Sequence, residues 1–153
     1  MLIGVISDTH GLLRPQAVAA LEGVDHILHA GDVGDPAILD ALSAIAPLTA
    51  IRGNIDVYGA CAHLPSTEFA ELGGKTIYML HDLAALDIDP TAAGVSIIIS
   101  GHSHQPKIDR RKNVLYFNPG SAGPRRFSLP VSLGLLEITK SAITPNLIEL
   151  SVK

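Results

Sequence analysis

The sequence of 153 residues contains one cysteine, Cys61, and no tryptophan. A single thiol cannot form a disulfide within the chain, so a fold held together by disulfides is excluded. The first residues lead into an apolar run without the basic segment that opens a signal peptide, and we expect a cytoplasmic protein. The apolar stretches are far shorter than the roughly 18 residues of a membrane span, so we expect no membrane partner.

An excess of basic residues is also lacking. Lys and Arg number 11 against 15 Asp and Glu, which gives a formal charge of −4. Because binding to nucleic acids depends on a basic surface, we expect no general nucleic-acid binding. No Gly-x-Gly-x-x-Gly or Walker sequence occurs, which argues against a metal-independent nucleotide-binding module.

Histidine, by contrast, is abundant. Seven histidines stand against three Tyr and three Phe in a chain that is 47% hydrophobic. This composition predicts one compact domain, residues 1–153, with a substantial core.

The first half of the chain shows the pattern of two consecutive βαβ units. Buried parallel strands are predicted at residues 2–6, 26–30 and 48–52. Pro15 begins a helix that stops at Gly23, and Asp35 caps a second helix whose first residue is Pro36. These crossovers predict an α/β fold with parallel strands.

The second half is richer in hairpins. Gly73-Gly74 predicts a turn between strands at residues 67–72 and 75–80. Further strands are predicted at residues 95–100, 107–111, 114–118, 131–138 and about 146–152, and residues 57–66 and 83–91 are predicted as loops that form walls of a substrate pocket.

Five polar motifs fall where predicted strands end, the edge at which α/β sheets bind ligands. Asp8 and His10, two residues apart on an extended segment, can point the same way. Asp32 can bridge two cations, and Gly53 lets the backbone come close. The candidate ligands form a mixed N/O set without thiolates, which suits Mn²⁺, Fe or Zn²⁺ better than Ca²⁺. They are Asp8, His10, Asp32, Asn54, His81, His102 and His104.

In their order, these motifs resemble those of the calcineurin-like metallophosphoesterases, most closely the small bacterial and archaeal phosphodiesterases. The segment Asn118-Pro119-Gly120-Ser121, with Arg125, resembles that branch's closing loop. The resemblance implies a sandwich of two mixed β-sheets flanked by helices, with two divalent metal ions at one edge. Mn²⁺ is favoured, with Fe, Zn²⁺ or Ni²⁺ as alternatives. One metal would be held by Asp8, His10, Asp32 and His104, and the other by Asp32, Asn54, His81 and His102.

The resemblance thus implies a catalytic site in which the same seven residues act through their metals. Two cations about 3.5–4 Å apart can share a bridging hydroxide and aim it at the phosphorus of a small phosphate ester. Many family members have His directly after the motif Asn, where it can protonate the leaving group, but this chain has Ile55. We therefore expect phosphodiesters with good leaving groups to be preferred over monoesters. Asp82 also departs from the family, since relatives commonly have Gly after the motif His.

The main alternative is a noncatalytic protein-interaction scaffold of the same fold, similar to retromer-subunit relatives with a degraded metal site. His26, His29 and His63 are interpreted as structural or solvated, His63 being a faint candidate for the missing proton donor. Arg125 and Arg126 either bind substrate phosphate, contact a neighbouring subunit, or are solvated. Assembly into a homo-oligomer is left open.

Overall fold

The computed structural model describes residues 1–152. In them ten strands form two five-stranded sheets, accompanied by three short helices and one 3₁₀ turn. The elements in chain order are β1 (Leu2–Ile6), α1 (Pro15–Ala20), β2 (His26–His29), α2 (Pro36–Ser43), β3 (Leu48–Ala50), α3 (Gly59–Ala62), β4 (Thr67–Leu72), β5 (Lys75–Leu80), the 3₁₀ turn (Leu83–Ala85), β6 (Ile97–Ile99), β7 (Lys107–Arg111), β8 (Val114–Asn118), β9 (Ser132–Ile138) and β10 (Ile143–Glu149).

The first sheet contains the two predicted βαβ units. Its strand order is β10-β9-β1-β2-β3, and β1, β2 and β3 are parallel. The crossover helices begin as predicted: Pro15 and Pro36 open α1 and α2, and the carboxylate of Asp35 accepts a hydrogen bond from the amide of Ala37. Because the three parallel strands share one direction, the loops that follow them emerge at the same edge of the sheet.

The second sheet has the strand order β4-β5-β6-β8-β7. The hairpin of β4 and β5 and that of β7 and β8 have the predicted bounds, and β5, β6 and β8 run parallel to one another. The parallel strands again bring their following loops to one edge, where His81 and the segment from Gly101 to His104 continue the chain.

The main core lies between the two sheets. Ile3, Val5 and Leu28 of the first sheet pack there with Ile97 and Phe117 of the second, all at most 1% exposed. The outer face of the first sheet carries α1 and α2, whereas the outer face of the second is covered by residues 83–88 without an α-helix. The predicted fold class, a sandwich of two mixed sheets with helices, is confirmed.

Two local predictions were wrong. The last strand, predicted at about residues 146–152, is β10 at Ile143–Glu149, because the amide of Thr139 donates to the carbonyl of Ala142 (2.9 Å) in a tight turn that starts the strand early. Pro145 is accommodated because β10 is an edge strand. The predicted loop at residues 57–66 contains α3.

No helix within residues 1–152 has the length and apolar character needed to cross a membrane.

Candidate metal centre

The structure brings five of the seven predicted ligands into one buried cluster at the common strand edge. Asp8 and His10 follow β1, Asp32 follows β2, and His81 follows β5. His104 comes from the loop after β6. Four of the five are at most 7% exposed, and the side chain of His10 is 17% exposed.

The centre of this cluster is Oδ1 of Asp8. It lies 3.3 Å from Nε2 of His104 and 3.7 Å from Nε2 of both His10 and His81. Nε2 of His10 and Nε2 of His81 also face Oδ2 of Asp32, at 3.4 Å and 3.2 Å. Two carboxylates therefore point at a common set of imidazole nitrogens.

The buried donor atoms fit a metal ion. Oδ1 of Asp8 and Nε2 of His10 and His81 are buried without a hydrogen-bond partner among the described residues. Leaving buried polar atoms unpaired costs free energy unless another ligand satisfies them, and divalent cations held by these residues would do so. One donor atom each from Asp8, His10 and His104 lie within 4.8 Å of one another, as do one each from Asp8, Asp32 and His81.

These two groups share Asp8, whereas the resemblance assigns the shared role to Asp32. Asp32 also faces imidazoles from both groups, since Oδ2 lies near both His10 and His81. Which carboxylate bridges two ions therefore stays a prediction.

The remaining two predicted ligands, Asn54 and His102, lie at the exposed mouth of the cluster. Nδ1 of His102 is 3.3 Å from Oδ1 of Asn54, and the His102 ring packs edge-on against that of His81, with the ring centroids 5.2 Å apart. Nε2 of His102 lies 3.8 Å from a carboxylate oxygen of Asp82. The structure thus places all seven predicted residues at one site, two of them at its rim.

The second oxygen of each carboxylate is held by the protein. Oδ2 of Asp8 accepts hydrogen bonds from the Ser7 hydroxyl (2.6 Å) and the His102 amide (3.1 Å). Oδ1 of Asp32 accepts from the amide of Ile55 (3.1 Å). The remaining oxygens, Oδ1 of Asp8 and Oδ2 of Asp32, are the ones that point into the cluster, so each carboxylate is oriented for a cation.

Burial and neighbouring charges oppose each other in setting the pKa values of these groups. Burial alone would raise the pKa of Asp8, but the imidazole of His10 and the hydroxyl of Ser7 outweigh it and hold the pKa below its ordinary value. The pKa of Asp32 is lowered in the same way by His81 and the Ile55 amide. Burial would lower the pKa of His81, yet the Asp32 carboxylate and the Ala30 carbonyl raise it above the ordinary value. Both carboxylates are therefore anionic at neutral pH.

Five of the predicted ligands have a left-handed backbone. The φ angles are 55° at Asp8, 46° at His10, 56° at Asp32, 70° at His102 and 61° at His104. Such angles are uncommon for non-glycine residues and persist only where the surrounding structure fixes them. The prediction that Asp8 and His10 lie on an extended segment was wrong. Both residues are left-handed, and their side chains converge through that backbone conformation.

Two glycines of the motifs stand where a neighbouring loop lies too close to leave room for a side chain. A Cβ at Gly53 would collide with the carboxylate of Asp32, and one at Gly101 would lie 2.6 Å from Oδ2 of Asp8. Both glycines let one loop of the site rest directly on another.

Asp56 supports the site, and the sequence analysis did not single it out. Its buried carboxylate accepts three backbone hydrogen bonds, from Val33 (3.1 Å), Gly34 (3.0 Å) and Gly53 (2.9 Å). It thereby ties the loop of Asp32 to the loop of Asn54. The signal in the sequence was weak, because an acid two residues beyond a motif is indistinguishable from a solvated one.

His29 links the loops that follow β1 and β2 through its two ring nitrogens. Thr9 Oγ1 donates to the carbonyl of Val33 (2.8 Å), so Nε2–H of His29 donates to Thr9 (3.0 Å), and Nδ1 of His29 accepts from the amide of Gly31 (3.1 Å). Both ring nitrogens are thus satisfied in the neutral form. Burial lowers the pKa of His29 to about 4, in agreement with its interpretation as a structural residue.

The other residues singled out in the sequence lie elsewhere. Nε2 of His26 is 2.8 Å from the hydroxyl of Thr49, and His63 is exposed beyond α3. Arg125 lines a separate cavity with Glu149 and Leu150. Burial lowers the pKa of His104, and the charge of Arg126 acts in the same direction.

Comparisons with known proteins agree with this geometry. Residues 1–141 match the family model described as the calcineurin-like phosphoesterase superfamily domain. A protein of Methanocaldococcus jannaschii named probable metallophosphoesterase is 40% identical over 134 residues, which cover 79% of this chain and 68% of the relative. Phosphodiesterase YfcE of Escherichia coli strain K12 is 27% identical over 155 residues, covering 86% of this chain and 84% of the relative.

Among solved structures, wild-type Vps29 of Entamoeba histolytica, complexed with Zn²⁺, superposes with a TM-score of 0.74 at 24% identity. The match covers 97% of this chain and 99% of the Vps29 chain. This likeness shows a shared fold.

Proposed function

The chain belongs to the calcineurin-like phosphoesterase superfamily, and we propose that it is a dinuclear-metal phosphodiesterase. The observation that carries the proposal is the burial of donor atoms from Asp8, His10 and His81 that have no hydrogen-bond partner among the described residues, in two ligand groups that share Asp8. Burying such polar atoms costs free energy that bound metal ions would offset.

The seven residues at the site are proposed to hold two divalent cations, Mn²⁺ being favoured. Bound cations neutralise the charge of a phosphate ester and lower the pKa of bound water, so that hydroxide is available at neutral pH. Asp8 and Asp32 fix the cations through oxygens whose partner oxygens are already hydrogen bonded. His102 and Asn54, at the exposed mouth, are the ligands that lie nearest to an entering substrate.

A preference for diesters is part of the proposal. Ile55 is 38% exposed beside Asn54 and has no proton to give to a departing alkoxide. Esters whose leaving groups need no protonation are therefore favoured. The name of the Escherichia coli relative, phosphodiesterase, supports the same substrate class.

A scaffold function is the second candidate. Several large apolar side chains are exposed, among them Val57 at 61%, Tyr58 at 85% and Phe127 at 93%, and exposed apolar side chains can contact a partner. A scaffold function accounts less well for the site, because docking does not require buried, unpaired carboxylate and imidazole atoms. Cytoplasmic location and homo-oligomer formation stay predictions.

The experiment that tests the function is a phosphate-ester panel. The purified protein is assayed with Mn²⁺, then with a chelator, on bis(4-nitrophenyl) phosphate and on 4-nitrophenyl phosphate. We expect chelator-sensitive hydrolysis with a higher kcat/KM for the diester. Equal or faster monoester hydrolysis would contradict the diester preference, and no hydrolysis of either ester by metal-loaded protein would favour the scaffold.

A further inference from the structure

Two cavities open on either side of one pair of residues at the mouth of the metal centre. Both are lined by Asp82 and His102. The first, which we call the Tyr116 cavity, has a volume of about 390 Å³, and the second, the Arg52 cavity, about 520 Å³. Each volume lies in the range of small-ligand sites.

The Tyr116 cavity has an apolar part, beside charged walls at Lys107 and Asp109. Leu83, Tyr116 and Phe117 line it, and the guanidinium carbon of Arg111 lies 4.6 Å from the centroid of the Tyr116 ring. Nε of Arg111 donates to Asp109 at 2.8 Å, an ion pair at the surface that favours this orientation of the guanidinium. A guanidinium stacks favourably on aromatic rings, which suits this cavity to a flat aromatic group.

The Arg52 cavity is more polar. Arg52, Ser66 and Thr67 line it together with Tyr78. The guanidinium of Arg52 donates to the carbonyl of Leu64 (2.7 Å), which anchors the arginine at the wall. Hydroxyl and guanidinium groups suit a second organic group that bears hydrogen-bond acceptors.

Asp82 stands between the two cavities. One of its oxygens accepts from the amide of Ala84 (3.0 Å), which fixes the carboxylate at the start of the 3₁₀ turn. The other faces His102. A fixed negative charge at this point repels a doubly charged phosphate monoester more than a singly charged diester.

From these walls we propose that the two cavities bind the two organic arms of one phosphodiester, an aromatic arm in the Tyr116 cavity and a polar arm in the Arg52 cavity. This inference rests on the proposed function and names its substrate class: diesters with two extended arms. A monoester fills one cavity at most.

The absence of tryptophan from the sequence makes a direct binding test available. Tyr116→Trp places a single fluorophore in the first cavity, and Ser66→Trp places one in the second. Each Mn²⁺-loaded variant is titrated with bis(4-nitrobenzyl) phosphate. Its nitroaryl arms quench tryptophan, and its poor leaving groups keep it intact during the titration. Glu71→Trp, at an exposed position on β4 outside both cavities, corrects for nonspecific quenching.

We expect both reporters to show saturable quenching, each with its own half-saturating concentration, and the Glu71→Trp reporter to show no saturable quenching. Arg111→Ala, introduced into each reporter, should raise that concentration about threefold to fivefold. Arg110→Ala is the matched control on the same strand, because Arg110 donates to the carbonyl of Ile143 (2.8 Å) and does not line the cavity. It should leave the concentration unchanged.

Quenching of only one reporter, or of neither, would overturn the inference. Hydrolysis of bis(4-nitrophenyl) phosphate by the wild-type protein is measured separately. If chelator-sensitive hydrolysis persists while the reporters fail, the two-cavity inference is wrong and the proposed function stands. If hydrolysis fails, the proposed function is contradicted, whatever the reporters show.

Discussion

Nδ1 of His81 lies 2.7 Å from the carbonyl oxygen of Ala30. A carbonyl only accepts hydrogen bonds, so Nδ1 carries the proton and Nε2 presents its lone pair to the cluster of Asp8 and Asp32. Ala30 directly follows β2, so the first sheet sets the tautomer of a predicted ligand that follows a strand of the second sheet.

Metal binding should release protons, chiefly from His81. Its pKa is raised by Asp32 and the Ala30 carbonyl, so near neutral pH a larger fraction is protonated than for an ordinary histidine. Because a cation binds only the neutral ring, we expect the apparent affinity for Mn²⁺ to fall as the pH falls from 8 to 6, approaching about tenfold per pH unit for each proton displaced. Calorimetric titrations in two buffers of different ionisation enthalpy count the protons, and an affinity that is constant over this range would refute the assignment.

His29 should make the fold sensitive to acid. Its folded-state pKa of about 4 lies below the ordinary value of 6.5, so the unfolded chain binds the proton more readily between these values. Stability should therefore fall as the pH drops from 6.5 towards 4, by about 2 kcal/mol between pH 7 and pH 5. Urea unfolding at the two pH values measures the loss. His29→Gln should remove this contribution to the loss of stability between pH 7 and pH 5. An unchanged loss in that variant would assign the acid sensitivity to other groups.

Asp56 should stabilise both the fold and the metal site. Asp56→Ala leaves the amides of Val33, Gly34 and Gly53 without their acceptor. We expect a loss of about 3 kcal/mol in the free energy of unfolding and a weaker metal affinity. Asp35→Ala is a matched control, because Asp35 accepts from a single exposed amide, and its loss should be about 1 kcal/mol. Equal losses in the two variants would show that Asp56 does not tie the loops together.

Ile55→His should extend the range of leaving groups. The side chain at this position is partly exposed, while its amide already donates to Asp32, so the substitution leaves that hydrogen bond in place. We expect kcat to rise about tenfold or more for phenyl esters, whose leaving groups need a proton, and to change little for 4-nitrophenyl esters. Ile55→Gln, of similar polarity but without an acid, is the control. If both variants change both esters equally, the lack of a proton donor at this position does not set substrate preference.

Much of the fold could be predicted because the local signals agree with the global structure. Buried parallel strands, a proline at the start of each crossover helix and the Gly73-Gly74 turn each give one interpretation. The turn at Thr139 was missed because Thr139-Lys140-Ser141-Ala142 contains neither Gly nor Pro, and α3 was missed because four residues are too few to show a helical period. The left-handed φ angles of Asp8 and His10 were missed because such angles depend on the surrounding structure.

The seven candidate ligands could be found because motifs at strand ends converge in this fold class. Their unequal burial could not, since it depends on how two sheets pack: Asp8 is enclosed, whereas His102 stays at the mouth. The role of Asp56 was overlooked because its partners are backbone amides from two loops that are distant in the sequence.

Metal content is the most direct test of the central claim. The wild-type chain and Asp32→Ala are each loaded with Mn²⁺, desalted and measured by elemental analysis, with circular dichroism to check that both are folded. We predict about two ions per wild-type chain and loss of both in Asp32→Ala, with loss of diester hydrolysis. A folded wild-type protein that retains no metal, or an Asp32→Ala variant with full metal content and turnover, would contradict the account.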